Sequence, residues 1–187
     1  MNKTTLIIFA LILCISACKS KNKSAADEIM DKLPANKENL NVGDENYTLD
    51  VPTNWTTKHT TYRGVNYYFL MAPHVPGDFN TNVNVVTENM HEDDLPTYET
   101  NTVATMLRVM PTAKITDKGG DIEANGIKGT WFAYTMTQDG NALSLVCYIF
   151  PVNKVAYIIT ATTTPALAVS YRSTFDKIAQ SLKWPQK

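Results

Sequence analysis

The side chains able to do chemistry are few: three cysteines, three histidines and one acidic run. His59, His74 and His91 never fall in an H-x₃-H or H-E-x-x-H spacing, and no C-x-x-C occurs, so the sequence contains no zinc-type ligand set. His91-Glu92-Asp93-Asp94 offers oxygen ligands for a cation. The same acids, standing just ahead of a helix pattern, also suit the positive end of that helix. A G-x-S-x-G elbow, a phosphate loop and a dinucleotide fingerprint are all missing. The expectation is a chain that is not an enzyme, with no cofactor, no catalytic residue and no metal site. Cys147 lies in Leu143-Ser-Leu-Val-Cys-Tyr-Ile-Phe150, a buried-strand pattern, whereas reactive thiols need an electropositive, exposed setting. It reads as an inert core thiol.

Cys18 has a different context. Lys3 supplies a positive start, and Leu6 to Ile15 is an unbroken apolar run. That run is short of the ~20 apolar residues needed to cross a bilayer, but fits the core of an export signal. Ile15-Ser16-Ala17-Cys18 follows and resembles the lipobox of bacterial lipoproteins. The resemblance implies that the Cys18 thiol is alkylated with diacylglycerol and the chain cut just before it. Residues 1–17 are then the lipoprotein signal peptide. Cys18 becomes the lipidated N-terminus, with palmitate-type chains holding the protein to a membrane of the cell envelope, facing the periplasm. Two or three acyl chains anchor stably where one gives only marginal binding.

Without residues 1–17 the chain carries 16 basic against 18 acidic groups, which argues against a nucleic-acid partner. With Cys14 removed and Cys18 lipidated, Cys147 is the only thiol left, so no internal disulfide is possible. Residues 18–44 are polar and lysine-rich and read as a tether. As flexible coil its ~26 residues span ~25–30 Å, enough to let a domain swivel beside the bilayer. Residues 45–187 form a single globular domain.

Within that domain, Tyr47 to Val51 alternates like a half-buried strand ended by Pro52, and Val65 to Ala72 is a second strand closed by Pro73. A Pro/Gly loop leads to a third strand, Asn82 to Thr87. Val103, Met106, Leu107 and Met110 then fall at helical spacing, with Pro96 in the first turn and Pro111 at the close. Lys114 to Thr116 and Asp121 to Glu123 read as one strand broken at Gly119-Gly120. Asn125-Gly126 and Asp139-Gly140 mark hairpins around Lys128 to Thr137 and Leu143 to Phe150. Pro151 to Lys154 turns into Val155 to Thr163. These last strands are apolar on both faces and belong in mid-sheet, covered on each side. Thr164 and Pro165 open a terminal helix whose Leu167, Tyr171, Phe175, Ile178 and Leu182 step along one face. The fold class is α+β with a mostly antiparallel sheet.

The order of these elements, with several local motifs, resembles the PsbP fold family. That family is named for an extrinsic photosystem II subunit and includes bacterial lipoproteins of the DcrB type. The matching pieces are Tyr47-Thr-Leu-Asp-Val-Pro-Thr-Asn-Trp55, Met71-Ala-Pro73, Asn82-Val-Asn-Val-Val86, Asn125-Gly126, Ala156-Tyr157 before Thr160-Ala-Thr162, and the ending Tyr171-x-x-x-Phe175-x-x-Ile178-x-x-Ser181-Leu182. They span about residues 45–184. The resemblance implies an α-β-α sandwich with a central sheet and a non-catalytic accessory, assembly or binding role at a membrane. The tether matches no family motif, so neither photosystem function nor a metal site carries over.

Two functions follow as expectations. One is a lipid-anchored accessory or interaction protein with a protein partner in the envelope, docking through Tyr62, Tyr68 and Phe79 around the Pro73–Asn82 loop, since exposed aromatics commonly anchor partners. The other is a small-ligand carrier with a groove between sheet and helix, lined by Phe69, Met106 or Tyr134. Trp55, Trp131, Tyr134, Tyr148 and Tyr157 are expected in the core.

Overall fold

The computed structural model describes residues 47–62, 65–74, 79–91 and 93–184, with backbone only for Tyr62 and Val65. The signal peptide, Cys18 and the tether lie outside the described residues. The described residues form eight strands and two helices, with one helix after the third strand and one after the last. They are β1 (Thr56–Tyr62), β2 (Val65–Met71), β3 (Asn82–Asn89), α1 (Leu95–Val109), β4 (Lys114–Lys118), β5 (Ile122–Ala124), β6 (Ile127–Gln138), β7 (Asn141–Val152), β8 (Val155–Thr163) and α2 (Ala168–Gln180). The sheet runs β1-β2-β3-β8-β7-β6-β4, antiparallel throughout, with β5 pairing the start of β6.

Both faces of the central strands are apolar because each face carries a helix. Alternation sends Phe69, Val86, Phe132, Tyr134, Cys147, Ile149 and Ile158 toward Tyr98, Val103, Met106 and Val109 of α1. It sends Leu70, Val83, Val85, Tyr148, Phe150 and Ile159 toward Phe175, Ile178, Ala179 and Leu182 at α2. The result is the expected α-β-α sandwich. Each large apolar side chain so buried contributes about 1.5–3 kcal/mol relative to exposure. Tyr134, Tyr148 and Tyr157 are in the core as expected, while Trp55 and Trp131 are half-buried at its margin.

Three two-residue turns connect β5 to β8. Asn125-Gly126, Asp139-Gly140 and Asn153-Lys154 each hold both residues at positive φ, the twist that suits antiparallel hairpins. The third differs from the expected Pro151–Lys154 turn. Pro151 is inside β7, paired with Ala156, beyond Ile149 where the β6 ladder stops. A residue without an N–H is tolerated where a strand has lost one neighbour.

Other expectations need correction. Tyr47 to Val51 is not a full strand; it makes one antiparallel bridge, Thr48 to Lys183. The first strand is instead β1, which shows no apolar alternation. Leu107 is off the buried stripe of α1, at 42% exposed, and Tyr98 and Val109 take its place. At α2 Thr164 does not cap the helix with its side chain. Its carbonyl accepts from the Leu167 N–H at 3.1 Å in a turn, and the helix starts at Ala168.

Candidate functional site

The chemistry-bearing side chains stay apart in the fold. His59 is on β1, His74 follows β2, and His91 follows β3. Among the described residues, no group of three or more His, Cys, Asp or Glu could hold a metal ion. Asp94 caps α1, its carboxylate accepting the Thr97 N–H at 2.9 Å, and those bonds hold its pKa below the ordinary value. Asp93 accepts from Asn101 at 3.1 Å. Glu92 is outside the described residues.

Cys147 is fully buried on the α1 face of β7. Burial pushes its thiol up to about 12, with the Thr160 hydroxyl beside it pulling the other way. A thiol so placed is almost wholly protonated at neutral pH, the setting of an unreactive cysteine. Burial likewise raises the phenols of Tyr98, Tyr134 and Tyr148. Two of these bond carboxylates across the layers: Tyr98 donates to Glu88 at 2.6 Å and Tyr148 to Asp176 at 2.7 Å. With Thr130 donating to Glu99 at 2.8 Å, such bonds fix both helices on the sheet.

A concave feature among the described residues is on the α2 face, over β1–β3, where α2 does not reach. There the sheet register brings His59, Tyr68 and Val85 into one row. Thr61 and Asn66 pair in the next row, with Thr87 beyond. The segment Tyr47–Leu49 makes the remaining wall of a groove of about 610 Å³. It is held there by Thr48 and Lys183 exchanging backbone bonds of 2.8 and 3.0 Å, and by Asp50 donating its N–H to the Ser181 hydroxyl at 2.9 Å. Tyr47 packs edge-on against Tyr68 and Tyr157, with ring centroids 6.3 and 5.8 Å away. The His59 ring lies 4.6 Å from that of Tyr68, and the Thr61 hydroxyl donates to the Asn66 amide oxygen at 2.8 Å. Among the described residues, no acidic side chain, lysine or arginine lines the groove. It is a surface of rings, hydroxyls and amides, suited to hydrogen bonding and stacking and unsuited to proton transfer between carboxylates.

Of the residues expected to bind a partner, Tyr68 is in this groove. Phe79 is half-buried against the α1-face core, on the opposite side of the sheet, so the two do not form one patch. The Tyr62 side chain lies outside the described residues. Phe69, Met106 and Tyr134, expected to line a ligand cavity, are packed together in the α1-face core. Sequence reasoning missed His59, Thr61, Asn66, Thr87 and Tyr47. The signal was the period-2 spacing His59-x-Thr61, Asn66-x-Tyr68 and Val85-x-Thr87, which acquires meaning only once β1 is known to be a strand.

No protein-family model and no curated protein matches the chain. Solved structures do. A Pseudomonas aeruginosa protein of unknown function aligns with a TM-score of 0.57 at 14% identity, covering 70% of this chain and 99% of its own. LpqN of Mycobacterium tuberculosis, described as involved in cell envelope biogenesis, aligns at 0.56 and 13% identity, covering 88% and 98%. The PsbP of the cyanobacterium Synechocystis aligns at 0.56 and 11% identity, covering 91% and 99%. At such identities the likeness concerns the path of the backbone. An antiparallel sheet carrying one helix on each face, shared with these proteins over nearly their whole lengths, is the PsbP-like fold, and this chain has it.

Proposed function

We propose that the chain is a lipid-anchored, non-catalytic accessory protein of the bacterial cell envelope. In this reading it docks on a protein partner through the groove around Tyr68. One observation carries the reading. Tyr47, next to the expected end of the tether, is itself a wall of the groove. An anchor at Cys18 would therefore hold this surface within one tether length of the membrane. Tethering raises effective concentration, so a modest intrinsic affinity suffices. The likeness to LpqN, with its described role in cell envelope biogenesis, supports the setting. Phe79 is left out of the contact because it packs on the other face.

The size of the groove favours a second reading, a carrier of a small neutral ligand, since about 610 Å³ is in the range of small-molecule sites. A photo-reactive side chain at Asn66, activated in native membranes, separates the two. Docking predicts a discrete protein adduct that Thr61→Ala reduces at least tenfold while melting is unchanged. A small-molecule adduct alone would transfer the groove to the carrier reading. The anchor has its own test: palmitate label should enter the parent chain and be lost in Cys18→Ala. Equal labelling of the two would remove the anchor from the proposal.

A further inference from the structure

The two edges of the sheet differ in kind. At one end β4 loses register between Ile115 and Asp117 and exposes Lys114, Asp117 and Lys118. Bulges and charges are the means by which native sheets refuse another strand. At the other end β1 pairs with β2 without interruption from Thr56 to Tyr62 and carries one lysine and no acid. Among the described residues, β1 has no strand on its outer side.

The hydrogen-bond alternation identifies which groups face outward. Ala72 donates its N–H to Thr81 at 2.9 Å, so Ala72, Leu70 and Tyr68 turn their backbone groups toward β3. The residues between them, Met71, Phe69 and Tyr67, turn theirs toward β1, where they meet Thr56, Lys58 and Thr60. Thr57, His59 and Thr61 are left presenting N–H and C=O groups to the outside. Water satisfies that row in a single chain, and another extended backbone can replace the water and continue the ladder.

We propose that β1 is a homodimerisation edge, pairing antiparallel with β1 of a second copy about a twofold axis at His59. A twofold normal to the sheet keeps like faces together, so outward-turned residues must meet outward-turned residues. Centring on His59 uses all of them: His59 meets its own copy and Thr57 meets Thr61. Lys58 then faces Thr60, and the lysines do not oppose each other. Centring on Lys58 would set like charges opposite, and centring on Thr60 would set Thr57 opposite position 63, outside the range of β1. Threonine pairs across strands are themselves favourable. Because His59 and Thr61 also line the groove, the axis brings two grooves side by side. The seam does not depend on what those grooves bind. A two-strand seam is small beside the ~1,000 Å² of a stable interface, so the dimer is expected to be weak and favoured by crowding on a membrane.

Cysteine trapping of the full-length chain in native membranes tests this. Facing residues of an antiparallel pair have Cα atoms ~5.5 Å apart, within disulfide reach. His59→Cys should therefore link to itself under mild oxidation, measured over the parent chain as blank. Thr57→Cys is displaced from its own copy by four residues, roughly 13 Å, and should not. A mixture of Thr57→Cys and Thr61→Cys should link. Thr57→Pro removes an outward N–H that β2 does not use, and should weaken dimerisation at least tenfold in sedimentation with an unchanged circular dichroism spectrum. Any of three results would overturn the proposal: no His59→Cys dimer, Thr57→Cys linking as fast as His59→Cys, or a different polypeptide copurifying on β1 in place of the second copy.

Discussion

Raising the pH should unfold this protein in one step near pH 11, because burial holds four of its acids protonated above their ordinary range. Cys147, Tyr98, Tyr134 and Tyr148 are all essentially inaccessible, and burial raises each above its ordinary value. The sign follows from where the proton leaves first. An acid with a raised folded-state pKa ionises earlier in the unfolded chain, so the stability it contributes is complete below the unfolded value and is lost as pH climbs toward the folded one. For Cys147 that interval runs from 9.0 to about 12. At 1.36 kcal/mol per unit, it costs about 2.5–3 kcal/mol by pH 11. Each tyrosine, ionising near 10 when unfolded, removes about 1.4 kcal/mol over the next unit. Together the loss is about 7 kcal/mol, comparable to the whole stability of an ordinary domain at ~5–15 kcal/mol. Far-ultraviolet circular dichroism and tyrosinate absorbance, followed together from pH 8 upward, measure it. The two signals should change together, and Cys147→Ser and Tyr134→Phe should each move the alkaline midpoint. If all tyrosines titrated near pH 10 while the dichroism stayed native to pH 12, the burial argument would be refuted.

Phe175→Ala should cost about 3–5 kcal/mol in urea melts, since Phe175 is 2% exposed where α2 meets the sheet; unchanged melting would mean that α2 is not a packed layer. Lys154→Gly should stabilise by about 0.5–1 kcal/mol, because Lys154 holds φ at 63° in a two-residue turn; a lower melting temperature would show that its side chain matters more than its backbone strain. Gly119→Ala should destabilise by about 1–3 kcal/mol, since a methyl group there runs into the Trp131 indole, over which the Arg172 guanidinium sits at 3.9 Å. Unaltered tryptophan fluorescence and stability in that variant would contradict the packing.

Elements with a strong local signal were legible in the sequence. The terminal helix was found from the spacing of Phe175, Ile178 and Leu182, all of them buried. Asn125-Gly126 and Asp139-Gly140 gave their turns directly, since each glycine takes the positive φ that its turn requires. The Asn153-Lys154 turn was placed imprecisely because lysine gives no such signal and Pro151 argues against a continuing strand. β1 was missed for a physical reason: Thr56 to Thr61 has no apolar face, being an edge strand bonded on one side among the described residues. Tyr47 to Val51 was overread, because its alternation serves one bridge to Lys183 and a groove wall instead of a ladder. The candidate site suffered most. Tyr68 and Phe79 flank one loop in the sequence, yet they pack on opposite faces of the sheet, and pairing with β1, which has no apolar pattern, decides which side chains share the groove.

The three tight turns also bear on the order in which the molecule assembles. Neighbouring strands from β5 to β8 join through two-residue loops, so their contacts close quickly and at little entropic expense. β3 must instead find β8 across most of the domain, as Val85 and Ile159 pair although 74 positions separate them. The hairpins after Ala124 are therefore expected to form a nucleus to which β1–β3 attach late. Destabilising substitutions such as Phe132→Leu should slow folding, and ones such as Leu70→Ala should chiefly hasten unfolding. The last part to settle is then the part that holds the groove and the open edge, so a newly made chain displays both only after the rest of its sheet is in place.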